Sequence, residues 1–340
     1  MGGDQSRGPA KGDFVRRFSA AIVGLGQIGQ GYDYDAPDDR LVLTHATAYR
    51  YHAGFELLAA VDPDPEQRER FVRKFDLPAY PDLESLISGH RPEVYSLCVP
   101  TAQHFQVFQQ IIPGGPAAVL CEKPIALGLS EAHEMVRLAE AHQVALLINY
   151  IRRFEPGGAA LKEAIQRREF GDIYKGVAWY SKGIIHNGSH YIDLLRFLLG
   201  EVTDLQVLEK GREWLGNDLE PDVRLYFGDT PIYFLAAREE CFSAGAIELM
   251  GTGGHIHYRD GGERIEIRRL QPDPTFPGYR ILQAEPELLP GDMQRYQWHV
   301  LDHLYRHLTG QTALNGDGKS ATATLAVVHK IINTRKTTQS

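Results

Sequence analysis

Cysteine is scarce in this sequence and never clustered. Its three cysteines, Cys98, Cys121 and Cys241, stand far apart in 340 residues. Such spacing provides neither a disulfide framework nor the paired ligands of a structural zinc site. We therefore predict reduced thiols, most of them buried as small apolar side chains, and no metal centre built on cysteine.

Long apolar runs and basic stretches are also missing. The longest apolar runs, such as residues 117–121 and 144–148, are far shorter than the roughly 20 residues of a membrane-spanning helix, and the N-terminus has no apolar signal segment. The net charge is −8, and no stripe of lysine and arginine interleaves with aromatic residues. We expect a cytoplasmic protein with neither a membrane partner nor a nucleic-acid partner.

What is present is an ordinary globular composition. With 43% hydrophobic and 24% charged residues, 340 residues suffice for about two domains. Residues 1–18 are rich in glycine and charged side chains with almost nothing apolar. They predict a disordered leader outside the fold.

The most informative stretch follows that leader. Residues 19–23 form a β-type apolar run that ends in the spacing G-x-G-x-x-G, made of Gly24, Gly26, Gln27, Ile28 and Gly29 with Leu25. That spacing is typical of a dinucleotide site: Gly24 allows a sharp turn, Gly26 a close approach to a pyrophosphate, and Gly29 close packing of the next helix. The N-terminus of that helix then offers free N–H groups to the phosphates.

A second apolar run, residues 55–61, ends at Asp62, the acidic position expected to bind the ribose hydroxyls of the adenosine. A polar insertion at residues 33–40 accounts for the long gap between the glycines and this aspartate. Pro63 and Asp64 offer no arginine for a 2′-phosphate, so the sequence favours NAD over NADP.

Helices and strands then alternate, as in a doubly wound parallel sheet. The predicted helices cover residues 44–52, 65–75, 82–88, 102–112 and 130–142, the last capped by Ser130, and the predicted strands cover residues 94–99, 117–121 and 144–150. Ligands gather at the C-terminal ends of parallel strands. Besides Gly24 and Asp62, those ends carry Pro100, Thr101, Glu122, Lys123, Asn149 and Tyr150.

The pattern changes after residue 150. Helices are predicted at residues 158–168, 189–199, 293–308 and 319–332, and β-type runs at residues 174–185, 205–208, 223–227, 232–237, 246–250, 255–258 and 265–270. Successive strands joined by Gly, Asp and Pro turns indicate a mainly antiparallel open sheet. We therefore predict an α/β protein with a Rossmann domain, a doubly wound parallel sheet, at residues 19–150. An α+β domain for substrate binding and oligomerisation is predicted at residues 151–340.

Glu122, Lys123 and Pro124 directly follow the strand at residues 117–121. Taken alone, the tripeptide fits an ordinary surface loop. At the sheet edge that carries the glycines, the Lys123 ammonium can polarise a carbonyl or hold an alkoxide, and Glu122 can fix its position.

A second polar group stands at the entry to an amphipathic helix, where His186, Asn187 and His190 precede its apolar face. A histidine there titrates near neutral pH and can exchange a proton with a hydroxyl. Two alternatives stay open. Asn187 and Ser189 can cap the helix beside surface histidines, or His186, His190 and Asp193 can bind a metal, although no further ligand is evident.

Other candidates lie at strand ends and helix starts. Arg152 and Arg153 follow Tyr150 and are either solvated hinge residues or contacts to the cofactor or to an anionic or polyhydroxyl substrate. His45 and His104 begin helices, where contact with the cofactor is an alternative to a structural position.

Taken in order, these segments resemble the glucose-fructose oxidoreductase, inositol dehydrogenase and MocA (Gfo/Idh/MocA) oxidoreductase superfamily, from Ala20 to Ile332. The resemblance is carried by residues 24–29, Val99-Pro100-Thr101 with His104, Glu122-Lys123-Pro124, Asn149 with Arg152-Arg153-Phe154, Gly171-Asp172-Ile173, and Gly188-x-His190-x-x-Asp193-Leu194. It implies an N-terminal Rossmann domain, a C-terminal sheet that often mediates oligomers, and NAD(P)-dependent oxidation or reduction of a sugar, sugar nucleotide or cyclitol.

The resemblance also implies roles for single residues. Lys123 resembles the lysine beside the reacting carbinol, and His190 resembles the histidine that acts as acid or base. The implied cofactor-binding residues are Gly24, Gly26, Gln27, Ile28, Gly29, Asp62, Pro100, Thr101, His104, Glu122 and Lys123, and the implied substrate-binding residues are Lys123, Tyr150, Arg152, Arg153, His186, Asn187 and His190. Where many members have Asp or Asn four residues before the histidine, this chain has His186, a departure that bears on proton transfer.

Three functions follow from this pattern. The first is an NAD-dependent dehydrogenase or reductase that acts on a CH–OH group of a sugar-like substrate, assembled as a homodimer or homotetramer. Some relatives instead hold NAD tightly for transient oxidation during glycoside hydrolysis, without net redox change. Others bind the dinucleotide only as regulators, an alternative that Lys123 and His190 argue against.

Overall fold

The computed structural model describes residues 16–216 and 218–337, and their side chains up to residue 334. Residues 1–15 of the predicted leader, which covers residues 1–18, lie outside the described residues. Its last residue, Phe18, is instead the first residue of a strand and is 1% exposed. The prediction of disorder is therefore wrong at this end of the leader, where an aromatic ring joins the core.

The first sheet has six parallel strands in the order β3-β2-β1-β4-β5-β6. They are β1 (Phe18–Val23), β2 (Phe55–Val61), β3 (Ala79–Tyr80), β4 (Val94–Leu97), β5 (Ala118–Cys121) and β6 (Ala145–Ile148). The helices between them are α1 (His45–Tyr51), α2 (Pro65–Phe75), α3 (Leu83–Gly89), α4 (His104–Ile111) and α5 (Leu129–Ala141). Runs of Val, Ile, Leu and Ala bury both faces, which confirms the predicted doubly wound sheet. The strand order reverses between β1 and β4, where such sheets bind ligands.

Helix starts follow local signals in some cases and not in others. The Thr44 hydroxyl accepts a hydrogen bond from the Thr47 N–H at 3.3 Å, so the predicted cap of α1 is confirmed. By contrast, α5 begins at Leu129 after Gly128, without a side-chain cap. The predicted Ser130 cap is wrong, because Ser130 already lies inside the first turn.

The helix expected after the glycines is only a single turn, Gln27–Gly31. Just beyond it, the buried Asp33 carboxylate accepts hydrogen bonds from the backbone N–H groups of Leu43 (2.7 Å) and Thr44 (3.0 Å). It also accepts from the Thr44 hydroxyl at 2.6 Å. The predicted insertion is therefore tied to the start of α1, which takes the place of a continuous helix after the glycine loop.

The second sheet is mixed and mainly antiparallel, as predicted, with β7 and β10 as its parallel pair. Its strands are β7 (Ile173–Tyr180), β8 (Asp204–Leu215), β9 (Asp218–Phe227), β10 (Thr230–Ala236), β11 (Gly245–Gly251), β12 (Gly254–Arg259), β13 (Arg264–Pro272), β14 (Arg280–Leu282) and β15 (Glu287–Leu289). The order is β14-β13-β12-β11-β7-β10-β9-β8, and β15 pairs with β13. The predicted strand 174–185 ends at Tyr180, and the turn that follows meets the first half of the chain through a hydrogen bond from Lys123 to the His186 oxygen.

The remaining helices are α6 (Pro156–Gln166), α7 (Ser189–Leu199), α8 (Tyr296–Leu308) and α9 (Gly318–Thr337). Leu161 of α6, Leu195 of α7 and Val328 of α9 belong to the core of the second sheet. Leu304 of α8 and Leu325 of α9 belong to the two cores of the first sheet. The last two helices therefore also complete the first half of the molecule. Between residues 16 and 337, with residue 217 set aside, no helix is long and apolar enough to cross a membrane.

Arg153, predicted to bind substrate, forms a buried ion pair with Asp193. Its Nη2 donates to Asp193 Oδ1 at 2.7 Å, and the two side chains are only 5% and 2% exposed. The Thr324 hydroxyl donates to the same oxygen at 3.0 Å. The pair ties α7 and α9 to the turn after β6. This corrects the prediction for Arg153, because its guanidinium is committed to Asp193.

We predict that Arg153→Met lowers the free energy of unfolding by about 3–5 kcal/mol, because the Asp193 carboxylate would remain buried without its counter-charge. Urea denaturation followed by circular dichroism measures the change. As a control, Arg167→Met removes an exposed pair with Glu163 (3.0 Å) and should cost less than about 1 kcal/mol. Equal effects of the two substitutions would contradict this account.

Candidate functional site

The glycine loop contains three different steric environments. Gly24 has φ +100°, and a Cβ there would lie 2.6 Å from the backbone carbonyl carbon of Cys98, so the turn requires glycine. A Cβ on Gly29 would lie 2.3 Å from the Gly24 oxygen. A Cβ on Gly26, in contrast, would meet nothing within 4 Å. Packing within the chain therefore requires glycine at positions 24 and 29. Gly26 borders open space, where a ligand can approach the backbone closely.

These glycines open onto a cleft of about 810 Å³ at the C-terminal edge of the first sheet. The cleft brings together most of the residues that the sequence predicted: Gly24, Gly26, Gln27, Ile28, Asp62, Pro100, Thr101, His104, Glu122, Lys123, His186, Asn187 and His190. Gly29, Tyr150, Arg152 and Arg153 do not line it. Tyr32, Asp218 and Tyr296 line it without any motif to indicate them, because distant segments bring them there.

Asp62 stands at the end of β2 beside the glycine loop. Its Oδ2 accepts the Leu25 N–H at 2.7 Å and its Oδ1 accepts the Asp64 N–H at 2.9 Å, which orients the carboxylate in the cleft. Both oxygens keep lone pairs for further donors. The Arg68 guanidinium donates to the backbone oxygens of Asp62 and Pro63, both at 2.8 Å. The loop therefore offers a carboxylate to a ligand, while the neighbouring arginine is engaged with the main chain.

Glu122 belongs to a buried polar network. Its Oε1 accepts from Asn149 Nδ2 (2.6 Å) and lies 2.9 Å from His45 Nε2, which therefore carries a hydrogen. His45 Nδ1 lies 3.0 Å from the Ser96 hydroxyl, and that hydroxyl lies 2.9 Å from the Tyr49 hydroxyl. Burial opposes the charge of Glu122, but the hydrogen bonds from His45 and Asn149 outweigh it and lower the pKa. Glu122 is thus a fixed negative charge beside the next residue, the lysine.

The two histidines at helix starts connect neighbouring strand ends. Both His45 and His104 are fully buried. His104 Nε2 lies 3.0 Å from the Val99 oxygen and Nδ1 lies 3.0 Å from the Pro124 oxygen, so its ring connects two of the strand-end loops. His45 does not line the cleft, and the structural alternative for it is the one that the geometry supports.

Lys123 connects the two halves of the chain. Its Nζ donates to the backbone oxygen of His186 at 2.5 Å, in the turn Gly183–Gly188 that leads into α7. The lysine ion pairs of the described chain belong to Lys182, Lys319 and Lys330, and Lys123 has none. Burial lowers the pKa of Lys123 to about 8, although the nearby Glu122 charge acts to raise it.

His190 lines the same cleft from the first turn of α7. Burial, reinforced by the positive charges of Lys123 and Arg152, lowers the pKa of His190 well below its ordinary value. The ring is therefore neutral at neutral pH. Tyr150, predicted to bind substrate, packs edge-on against it with the ring centroids 5.7 Å apart and is only 2% exposed. This corrects the prediction, because Tyr150 lies behind His190 and not in the cleft.

A carboxylate shapes the turn that carries His186. The backbone N–H groups of Ile185 and His186 donate to Asp218 Oδ1 (2.9 Å) and Oδ2 (2.8 Å). Gly183 has φ +74°, and a Cβ there would lie 2.1 Å from Asp218 Oδ2, so the turn closes around this carboxylate only with glycine. The imidazole of His186 packs against Trp214 with the ring centroids 5.3 Å apart, and burial lowers its pKa to about 4.

The structure decides between the alternatives for the entry to α7. The helix follows Gly188 without a side-chain cap, because Asn187 Nδ2 donates to the Ser181 oxygen (3.0 Å) and the Ser189 hydroxyl to the Ile185 oxygen (2.7 Å). The capping alternative is therefore wrong. The metal alternative also lacks support: among residues 16–216 and 218–337, no group of three His, Cys, Asp or Glu side chains could hold a metal.

A second cavity, of about 890 Å³, adjoins the cleft, and both are lined by His186 and Asn187. Arg152 lines this cavity. Its Nε donates to the Gly261 oxygen at 3.2 Å, and its guanidinium stacks over the Tyr191 ring at 4.7 Å from the centroid. Of the two adjacent arginines predicted to bind substrate, Arg152 therefore reaches an open cavity and its neighbour does not.

Residues 18–150 match the family model GFO_IDH_MocA, described as oxidoreductase family, NAD-binding Rossmann fold. This first part of the chain, less than half of its length, is therefore similar to the Gfo/Idh/MocA oxidoreductase family. The matched residues contain the whole first sheet, the glycine loop and the strand ends that form the cleft.

The curated relatives are distant. D-apiose dehydrogenase of Paraburkholderia graminis is 25% identical over 209 residues, 56% of this chain and 52% of that protein, so the chain spans about half the length of this relative. D-apiose dehydrogenase of Rhizobium rhizogenes is 24% identical over 306 residues, 81% of this chain and 86% of that protein.

Among solved structures, the WlbA dehydrogenase from Bordetella pertussis, in complex with NADH and UDP-GlcNAcA, superposes with a TM-score of 0.75 at 17% identity. The alignment covers 94% of this chain and 96% of that one. At this identity the likeness establishes the fold alone, and it extends over both sheets.

The steric differences within the glycine loop predict opposite effects of alanine. Gly26→Ala should change the free energy of unfolding by no more than about 0.5 kcal/mol, since its backbone is extended (φ −66°, outside the left-handed region) and a Cβ there meets nothing within 4 Å. It should nevertheless weaken NADH binding at least about tenfold, or about 1.4 kcal/mol.

Gly24→Ala serves as the matched control. It should destabilise the protein by about 1–3 kcal/mol because of its positive φ and its contact with Cys98. Thermal unfolding and calorimetric titration with NADH measure the two effects. Undiminished NADH binding by Gly26→Ala would show that the dinucleotide does not approach this loop.

Proposed function

We propose that this protein is an NAD-dependent oxidoreductase that transfers a hydride between nicotinamide and a CH–OH carbon of a sugar or sugar derivative. The observation that carries the proposal is the position of Lys123 and His190, which line the same cleft as the glycine loop. The family and the dehydrogenase names of the relatives support it. A regulator that only binds the dinucleotide would not require a lysine and a neutral histidine at this place.

The chain's residues divide the proton chemistry between them. When bound, the dinucleotide supplies the hydride acceptor or donor. His190 is neutral at neutral pH because its pKa is lowered, so its imidazole accepts the hydroxyl proton as the alcohol is oxidised. Lys123 is charged below its pKa of about 8, and its ammonium stabilises the negative charge that develops on the alcohol oxygen. In reduction the same two groups act in reverse.

Glu122 helps to keep the lysine charged. Its negative charge opposes the effect of burial on the pKa of Lys123. Lys123 Nζ in turn bonds to the backbone of the turn that leads to His190, so the acid–base pair is assembled where the two halves of the chain meet.

We propose NAD as the cofactor in preference to NADP. The Asp62 carboxylate suits the 2′-hydroxyl of the adenosine ribose and repels a 2′-phosphate, and Arg68 is engaged with backbone oxygens. The WlbA dehydrogenase that shares the fold was crystallised with NADH.

NADH should therefore bind at least about tenfold more tightly than NADPH, a difference of about 1.4 kcal/mol, in calorimetric titrations. Asp62→Ser should reduce this preference, because a hydroxyl carries no charge to repel the phosphate. Equal affinity of the unaltered protein for the two dinucleotides would contradict the role given to Asp62.

The proposal extends to assembly and location. The face of the second sheet opposite α6, α7 and α9 is open and exposes Met250 by 38%, and Tyr174 at the start of β7 is 52% exposed. Apolar side chains on an open face favour contact with another copy, so we propose a homodimer or homotetramer built through it. We place the protein in the cytoplasm, because its three cysteines are free thiols and two of them are buried.

Substitution of the acid–base pair tests the chemistry. A screen of sugars, sugar nucleotides and cyclitols, followed by nicotinamide absorbance, first identifies a substrate. Lys123→Met and His190→Asn should each then lower kcat by about 10²–10⁴-fold, with little change in the dissociation constant of NADH. Lys175→Met, an exposed residue of β7, is the control and should leave both unchanged.

The pH profile provides an independent check of Lys123. Its ammonium is present below a pKa of about 8 and is lost as the pH rises through that value, so kcat/KM for oxidation should fall above about pH 8. Lys123→Arg should move this basic limb upward, since a guanidinium keeps its charge. A basic limb that stays near pH 8 in Lys123→Arg would assign it to another group.

A further inference from the structure

Backbone strain marks the second cavity. Five non-glycine residues in the described chain have positive φ. Asp76, Gln143 and Arg168 come just after helices, where a left-handed residue is an ordinary terminator. Lys182 (φ +66°) and Asp260 (φ +51°) instead come after strands, and both line the second cavity. Strain of this kind persists only where the surroundings impose it, and it concentrates at functional sites.

A buried carboxylate holds Lys182 in its strained conformation. Glu220 Oε1 accepts the Lys182 N–H at 2.9 Å and the Gly183 N–H at 3.3 Å, and Glu220 is 3% exposed. The Arg212 guanidinium, 2.8 Å away, balances the charge of Glu220. The backbone of Lys182 is thereby fixed beside the cavity. Among the described residues its ammonium pairs with the half-exposed Glu239 carboxylate at a long distance, 3.8 Å, and a pair of that kind contributes little.

Arg152 is the second cation of this cavity. Its guanidinium donates to neutral acceptors, the Gly261 oxygen (3.2 Å) and the Tyr191 hydroxyl (3.3 Å). The arginine ion pairs found in residues 16–216 and 218–334 do not include Arg152. A half-buried guanidinium without a carboxylate is costly unless an anion occupies the neighbouring space.

Positive charges lie close to His186, at the join between the two cavities. His186, shared by both, has a lowered pKa because of burial and then of Lys123 and Lys182. Arg152 acts in the same direction on Lys123. The carboxylates of Asp260 and Glu263 also line the second cavity, and its third cation, Arg259, pairs with Glu266 outside it. Arg152 and Lys182 are thus the lining cations that have no carboxylate within hydrogen-bond distance among the described residues, and an anion in the cavity can contact them directly.

We infer that Arg152 and Lys182 form a subsite for an anionic group of the substrate, a carboxylate or a phosphate, so that the substrate is an acidic or phosphorylated sugar derivative and not a neutral sugar. This inference rests on the proposed function. Both cations line the second cavity and not the cleft of the glycine loop, so they are placed for the substrate and not for the dinucleotide pyrophosphate.

Two exposed aromatic side chains extend the argument. Trp179 and Phe242 line the same cavity and are 43% and 67% exposed. Flat apolar faces beside a cation suit a sugar ring or a base that carries a phosphate. The reacting CH–OH group would then lie in the cleft, and the anionic group would lie beyond His186 and Asn187 in the second cavity.

Matched neutral and anionic ligands test the subsite by binding alone. The protein saturated with NADH is titrated with D-glucose, D-glucuronate, glucose 1-phosphate and UDP-glucose, followed by calorimetry at low and at physiological salt. At least one anionic ligand should bind about tenfold or more tightly than glucose, with an advantage that shrinks as salt rises. Comparing the affinity for glucuronate with the affinities for glucose 1-phosphate and UDP-glucose distinguishes a carboxylate substrate from a phosphorylated one.

Three variants connect this advantage to the two cations. Lys182→Met and Arg152→Leu should each reduce the advantage of the anionic ligand to less than about threefold, and Lys175→Met, on β7, should leave it intact. A thermal midpoint for each variant shows that it is folded, and Lys182→Met decides the question where Arg152→Leu does not fold. An advantage that survives in Lys182→Met, or equal binding of glucose and every anionic ligand, would overturn the inference.

Inorganic phosphate alone covers the case in which none of these sugars binds. Saturable phosphate binding in the presence of NADH that Lys182→Met abolishes supports the subsite, and absence of such binding overturns it. The proposed function can fail separately. If anionic ligands bind but no hydride transfer occurs with any member of a wider screen of acidic and phosphorylated sugars, the subsite stands and the redox assignment falls. If neutral and anionic sugars are instead turned over with equal kcat/KM, the redox assignment stands and the anionic subsite falls.

Discussion

A carboxylate buried at the end of β5 is the constraint on which the cleft depends. Glu122 stays charged there because His45 and Asn149 supply hydrogen bonds that outweigh the cost of burial. The insertion after the glycine loop serves the same arrangement, since the Asp33 carboxylate anchors the start of α1, which carries His45. With Glu122 fixed, Lys123 keeps its proton up to a pKa of about 8 in spite of its burial.

The second half of the chain uses carboxylates in a comparable way. Asp218 and Glu220, from β9, accept backbone N–H groups of residues 182–186 and bend the chain into the cleft. This turn meets the first sheet through the hydrogen bond from Lys123 to the backbone of His186. Neither half alone assembles the candidate acid–base pair, and the return of α8 and α9 to the first sheet keeps the two halves together.

Much of the first sheet could be predicted from sequence, because its signals are local: apolar runs, a glycine spacing and residues at strand ends. Residues 55–61 and 65–75 were predicted with the bounds that β2 and α2 have. Arg152 and Arg153 show where local signals stop. Adjacent in a short helical turn, they leave the backbone in different directions, one toward an open cavity and one toward Asp193. That choice depends on α7, whose position no local pattern specifies.

His186 connects the departure from the family pattern to the electrostatics of the site. Many relatives were expected to have Asp or Asn at this position, and an aspartate there would place a negative charge between Lys123 and Lys182. The imidazole of His186, with a pKa lowered to about 4 and packed on Trp214, contributes no charge at neutral pH. The side chain at position 186 then adds no negative charge beside Lys123 and Lys182. A negatively charged substrate would supply the negative charge that an aspartate at position 186 would have provided.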